Sequence, residues 1–211
     1  MLVGPPTLLE RARLWGLHGM NRDAWKRYGA EGSWFYDIVC PGFKYNLTDM
    51  QASLGLHQLR KLRGFHDRRR AIVEHYNMGF SELEQVQVPV EHSHVEHAWH
   101  LYVLRLNLDR LAINRNQFMA RLRDCNIGSS VHFIPIHLHR YYQEKYGYKP
   151  EDFPIAYREY QRMVSLPLSP RMTDDDVAEV IEAVISVSQS HRATQTGKRL
   201  PDCAVMGGTR G

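Results

Sequence analysis

The stretch "PGFKYNLTDM", residues 41–50, gathers a lysine, an asparagine and two aromatic rings just ahead of a helix start. A helix N-terminus leaves backbone N–H groups unpaired and carries roughly half a positive charge, which suits an anion. With the Lys44 ammonium and the Asn46 amide as added donors, this turn could hold a phosphate. The same residues also read as a tight glycine turn closed by a capped helix, and spacing alone does not choose between the two.

Histidines form the second set of candidate groups. His92, His94, His97 and His100 crowd one segment, and His132, His137 and His139 crowd another. Neutral imidazoles ligate metals, but no cysteine or carboxylate stands at a familiar ligand spacing and HExxH is absent, so no metal site is expected. His132 sits in an apolar run, "VHFIPI", where it could equally be a core histidine with a satisfied hydrogen bond. The basic segment "RKLRGFHDRRR", residues 60–70, interleaves its charges with an apolar stripe. That pattern reads as a solvated helix face, and no nucleic-acid-binding motif accompanies it. Phosphate loops rich in glycine, GxSxG elbows and paired catalytic carboxylates are not found.

These groups need elements to position them. Composition permits a sizeable core: 211 residues, 43% hydrophobic and 24% charged, describe a globular chain. The net charge of +4 is too small to name a partner. Cys40, Cys125 and Cys203 lie far apart and outside CxxC spacing, which points to a reducing, cytoplasmic setting. Pro5, Pro6 and early charges stand where a signal peptide would need an unbroken apolar run, and no run approaches the length of a membrane span.

Along the chain, Met1–Val3 reads as the end of a strand, residues 7–17 as an amphipathic helix, and "SWFYDIV" (33–39) as a strand within an aromatic-rich loop. Thr48 with Gln51 three residues later forms a capping box, which opens a long helix with a bend or break expected at Gly64. After residue 95 the pattern alternates: strand 100–106, helix 114–126, strand 129–136, helix 154–163, strand 164–168, and a helix capped by Thr173 and followed by three aspartates. An α/β domain with an at least partly antiparallel sheet is expected there. Residues from 189 onward turn small and polar, so a disordered tail is expected.

Three segments taken together resemble a known family. They are "HGMNRDAWKRY…GFKYNLTDMQASLGLHQLRKL", "WHLYVLRL…NIGSSVHFIPIHLHRYY" and "VSLPLSPRMTDDDV", in family order and spacing from about residue 8 to residue 187. They are similar to the C-terminal half of the DegT-type (DegT/StrS) sugar aminotransferases, enzymes of the aspartate aminotransferase fold, fold-type I, that use pyridoxal 5'-phosphate. The resemblance implies a remnant of the large domain (1–47), a linking helix region (48–84), a small C-terminal domain (85–188) and the tail (189–211). It also implies transfer of an amino group, with glutamate as donor, to a nucleotide-linked keto-sugar in surface-polysaccharide or antibiotic-sugar synthesis. The implied assembly is a homodimer, or a pair with a full-length relative, with no nucleic acid or membrane partner.

Residue by residue, the resemblance assigns Asn46, with Lys44 beside it, to the cofactor phosphate of a neighbouring subunit, and His132 to the neighbourhood of the sugar nucleotide. Many members carry Asn and Arg at positions 44 and 46; "GFKYN" is closer to the "GYKYN" variant of the aminoarabinose-forming branch. The lysine that holds the cofactor as a Schiff base belongs upstream of Met1 in the family pattern, and Lys26, Lys44, Lys61, Lys145, Lys149 and Lys198 do not match it. The chain by itself is therefore expected to be inactive. As a fragment it is also expected to expose the apolar face of the linking helix, a patch that favours association. The competing expectation is a non-catalytic interaction module that keeps the dimer-forming surface.

Overall fold

The structure, a computed structural model, describes residues 4–20 and 37–193. The expected strand end at Met1–Val3, most of "SWFYDIV" and the tail beyond residue 193 lie outside the described residues. The chain divides into two compact units, residues 1–62 and 63–211.

In the first unit, α1 (Pro6–Gly16) begins with a proline at its first turn, where the missing N–H would have no helical partner in any case. The chain then reverses through His18 (φ 55°) and Gly19 (φ 72°). Residues 38–45 return antiparallel beside this reversal, bridging Met20 to Ile38 and Leu17 to Lys44. Two glycines make the approach possible. A Cβ on Gly19 would lie 1.8 Å from the Cys40 carbonyl oxygen, and one on Gly42 would lie 2.2 Å from the Gly19 nitrogen.

The long helix α2 (Asp49–Phe80) spans 32 residues. Its start is the expected capping box: the Thr48 N–H donates to Gln51 Oε1 at 3.0 Å and the Gln51 N–H to Thr48 Oγ1 at 3.3 Å. Of the bend or break expected at Gly64, the break is not there; the helix runs through it. Glycine costs a helix only about 1 kcal/mol, and leucine, lysine and arginine around it are strong helix formers. No side chain wedges into the ladder either, since Gly64 faces open space. The boundaries expected at 47/48 and 84/85 fall near the ends of this helix, whereas the two units divide inside it.

In the second unit, three strands form one antiparallel sheet in the order β1 (Val86–Gln87), β2 (Tyr102–Leu106), β3 (Met163–Leu166). Val86 pairs with Leu106 and Tyr102 with Leu166. The alternation read in β2 is real: Tyr102, Leu104 and Leu106 are fully buried while Val103 and Arg105 are not. They join one apolar cluster with Ile72, Tyr76 and Phe80 of α2, Phe118 and Leu122 of α3 (Arg115–Asp124), and Val177, Val180 and Val184 of the last helix. Asn114 and Gln117 cap α3 reciprocally.

Residues 129–136 do not form the expected strand. Only Ser130 bridges, to Ser165 of β3. Phe133, Ile134 and Ile136 are exposed, so the apolar run has no buried face to favour a pleated register, and Pro135 lacks the N–H a ladder needs. Two short helices follow, α4 (Arg140–Tyr146), which was not expected, and α5 (Pro154–Arg162), which was. The final helix α6 (Asp174–Ser190) is capped by Thr173 and Asp176 as read. The boundary expected at 189 falls inside it. Residues 191–193 stay attached: the Ala112 N–H donates to the His191 carbonyl at 2.8 Å and the Ala193 N–H to the Arg110 carbonyl at 2.9 Å.

Candidate functional site

The turn at 41–49 is held by its backbone and open through its side chains. The Phe43 N–H donates to the Trp15 carbonyl, the His18 N–H to the Phe43 carbonyl at 2.9 Å, and the Tyr45 N–H to the Gly16 carbonyl at 2.8 Å. Phe43 and Tyr45 stack in parallel, 5.1 Å between ring centres, and both are exposed. The Lys44 ammonium and the Asn46 amide are exposed and make no hydrogen bond to any described residue. The reciprocal cap uses the N–H groups of Thr48 and Gln51 and leaves the helix end's positive potential beside these donors.

His132, in the second unit, is half-buried and fixed. Its Nδ1 lies 2.9 Å from the Oγ of Ser165, a buried residue of β3. That contact orients the ring and leaves Nε2 without a partner among the described residues. Phe133 packs edge-on against the ring at 4.7 Å and is itself exposed. Of the reading of His132 as a core histidine with a satisfied hydrogen bond, the hydrogen bond is present, while the ring is only half-buried and its segment is irregular. Ser165 was missed, because nothing local links residues 33 apart in sequence.

The other histidines do other work. His66 Nε2 lies 2.7 Å from the His97 carbonyl, and the Trp99 N–H donates to His97 Nδ1 at 2.9 Å. Among the described residues no group of three or more His, Cys, Asp or Glu could hold a metal ion. From the basic segment, Arg68 donates to the Met172 carbonyl at 2.7 Å and pairs with Asp174 at 2.7 Å, tying α2 to the start of α6. Among the described residues no helix is long and apolar enough to cross a membrane.

Displaced titrations also belong to the framework. Burial raises the Tyr76 and Tyr102 hydroxyls, and each donates one hydrogen bond, to the Pro167 carbonyl and to Asn77 Oδ1. Burial would raise Glu159, but a hydrogen bond from Arg162 and the charges of Arg162, Arg105 and Arg158 outweigh it and hold the carboxyl below its usual value. Asp176 is lowered by the backbone and hydroxyl of Thr173.

Residues 2–185 match the DegT/DnrJ/EryC1/StrS aminotransferase family. The chain belongs to this family. It is 51% identical over 185 residues to an uncharacterized protein of Methanocaldococcus jannaschii, covering 88% of this chain and 48% of that protein. It is 47% identical over 178 residues to the spore coat polysaccharide biosynthesis protein SpsC of Bacillus subtilis, covering 84% of this chain and 46% of that one. Among solved structures it superposes on Spr1654 of Streptococcus pneumoniae, assigned as a sugar aminotransferase, with a TM-score of 0.76 and 32% identity over 89% of this chain and 46% of that chain. That protein has been solved in PMP and PLP forms. The fold is thus the α/β fold of fold-type I sugar aminotransferases, and the family's cofactor is pyridoxal 5'-phosphate. The chain spans about half the length of the curated relatives it matches.

An exposed ammonium and amide without a hydrogen bond to any described residue, beside a helix start whose cap leaves its positive potential in place, are groups of a kind that suits a phosphate. The described lysines Lys44, Lys61, Lys145 and Lys149 are all exposed.

Proposed function

We propose that this chain supplies the phosphate-contact turn, the linking helix and the small C-terminal domain of a pyridoxal-phosphate-dependent aminotransferase acting on a nucleotide-linked keto-sugar, with glutamate as the amino donor. The observation that carries the reading is the turn itself, whose backbone is pinned at three points while the Lys44 and Asn46 side chains make no hydrogen bond to any described residue. When bound, pyridoxal phosphate supplies the electron sink for amino-group transfer. Asn46 donates its amide, and Lys44 its charge, to a phosphate held by a neighbouring subunit. His132, oriented through Ser165, offers Nε2 to the sugar nucleotide. The partner is a full-length relative that brings the covalent lysine, or a second copy with which the chain pairs without catalysis, and the 211-residue chain alone is inactive.

The test is complementation between chains. A full-length relative whose residues matching Lys44 and Asn46 are both alanine should regain turnover of glutamate and keto-sugar nucleotide when this chain is added. The chain alone, mixed with pyridoxal phosphate and treated with borohydride, should yield no lysine-linked product. Turnover by the chain alone, with a trapped lysine adduct, would overturn the inactivity. Binding to the relative without recovery would favour the second reading, a non-catalytic interaction module, which the exposed leucines of α2 also suit.

A further inference from the structure

The face of the sheet turned away from the core carries a surplus of positive charge. Side chains alternate along a strand, so Val103 and Arg105 point away from the core that Tyr102, Leu104 and Leu106 fill. Residues paired directly across an antiparallel ladder share a face, which puts Gln87, Arg105 and Met163 in one row and Val103 and Ser165 in the next. Two residues along a strand separate these rows by about 7 Å. Ser165 is the residue that orients His132, so the imidazole and Arg105 belong to the same face of the sheet.

Arg105 is met there by α5. Its Nε lies 3.1 Å from Glu159 Oε2, the same oxygen that takes the Nε of Arg162 at 3.0 Å and its Nη2 at 2.9 Å. The Nε of Arg158 lies 3.4 Å from the other oxygen. Three guanidiniums thus share one carboxylate, and among the described residues no other carboxylate is within ion-pair distance of them. Buried Arg115 adds positive charge beside α5: it donates to the Tyr160 carbonyl at 2.8 Å and pairs with no described carboxylate. Like charges held this close repel, and a single carboxylate offsets only one of them. The surplus comes with donors to spare. Both Nη atoms of Arg105 and of Arg158, and Nη1 of Arg162, make no hydrogen bond to any described residue, and the Arg158 side chain is 70% exposed. Guanidinium forks match the oxygens of a phosphoryl group, two N–H to two oxygens. A nucleic acid would instead need a basic track that follows successive phosphates, whereas these charges gather around one side chain.

We propose that Arg105, Arg158 and Arg162 form a site for a phosphate or diphosphate group on the His132 face of the sheet. The site rests on these contacts and not on the turn at 41–49 or the aminotransferase reading. The whole chain would be titrated calorimetrically with pyrophosphate and with uridine diphosphate at low ionic strength. Both should bind, and added sodium chloride should weaken both. Arg158→Gln removes an exposed side chain, so circular dichroism should be unchanged while pyrophosphate binding falls on the order of tenfold, as expected for a charged hydrogen bond. Arg105→Lys keeps the charge but loses the fork, and should also bind less tightly. Glu159→Gln should tighten binding several-fold, because it removes the anion that competes for the same guanidiniums; an ion-pair network that only ties α5 to β2 would give no such gain. Tighter binding of uridine diphosphate than of pyrophosphate, with the difference lost in His132→Ala, would make the ligand a nucleoside diphosphate that reaches along the face. Equal affinities would make it a free phosphate or diphosphate. Four results would overturn the proposal: no binding of either ligand, unchanged affinity in Arg158→Gln, no gain in Glu159→Gln, or a loss confined to a Lys44→Ala, Asn46→Ala chain, which would place the anion at the turn.

Discussion

The two halves of α2 are one helix in two environments. From Asp49 to Gly64 every residue is exposed, including Leu54, Leu56, Leu59 and Leu62 at 52–66%. From Ile72 to Phe80 the same helix buries Ile72, Val73, Tyr76 and Phe80 almost completely. Apolar side chains recur at helical spacing in both halves, so the difference is not one of local sequence. The second half lies against a sheet and two helices that complete its core; the first half presents an apolar stripe to whatever pairs with it. Exposed leucines of this density mark interaction surfaces in soluble proteins.

The largest effect that tests this contrast is expected at Tyr76. Tyr76→Ala removes a buried ring and its hydrogen bond to the Pro167 carbonyl, and should cost about 3–5 kcal/mol in urea unfolding. Leu59→Ala, with the side chain 62% exposed, should stay within about 0.5 kcal/mol. A Leu59 cost near that of Tyr76 would break the comparison, because it would mean that the first half is already covered in solution.

Next in size is the turn that precedes the exposed half. Gly42→Ala forces a Cβ into the Gly19 backbone and should destabilise the turn by about 1–3 kcal/mol. It should abolish complementation while leaving the unfolding of the second unit unchanged. Asn46→Ala and Lys44→Ala act on exposed side chains that make no hydrogen bond to any described residue. Each should lower complementing activity on the order of tenfold, as expected for one hydrogen bond to a charged group, with no change in thermal midpoint. A shift of the midpoint would assign these residues to the fold instead of to a phosphate.

The smallest effect is a pH dependence confined to the well-packed unit. Glu159 and Asp176 both have folded-state pKa values below those of an unfolded carboxylate. Such groups stabilise the native state above the unfolded pKa, about 4, and that contribution is lost as pH falls through the folded value. Acid titration followed by circular dichroism should therefore show a mild loss of stability below about pH 4. Glu159→Gln, which removes one of the two groups, should flatten it.

Much of this was legible in advance where the signal was local. The Thr48 and Thr173 caps, the alternation of β2 and the span of α5 each rest on residues within a few positions of one another. The candidate turn was legible for the same reason. Residues 129–136 misled because an apolar run was taken as a strand, although strand formation depends on a partner edge and a face to bury. Gly64 misled in the opposite way, since a single weak residue does not break a helix whose neighbours favour it.

By itself the sequence determined the family, the helix starts and the residues of the turn, because motif order, caps and glycine positions are written in short stretches of chain. Tertiary structure decided which half of α2 has a core, and that Ser165 orients His132 from 33 residues away. It also decided that the Lys44 and Asn46 side chains, on a turn whose backbone is pinned, make no hydrogen bond to any described residue. The physical reason is the same in each case: burial, orientation and the absence of a partner are properties of what surrounds a side chain, and distant parts of the chain supply those surroundings.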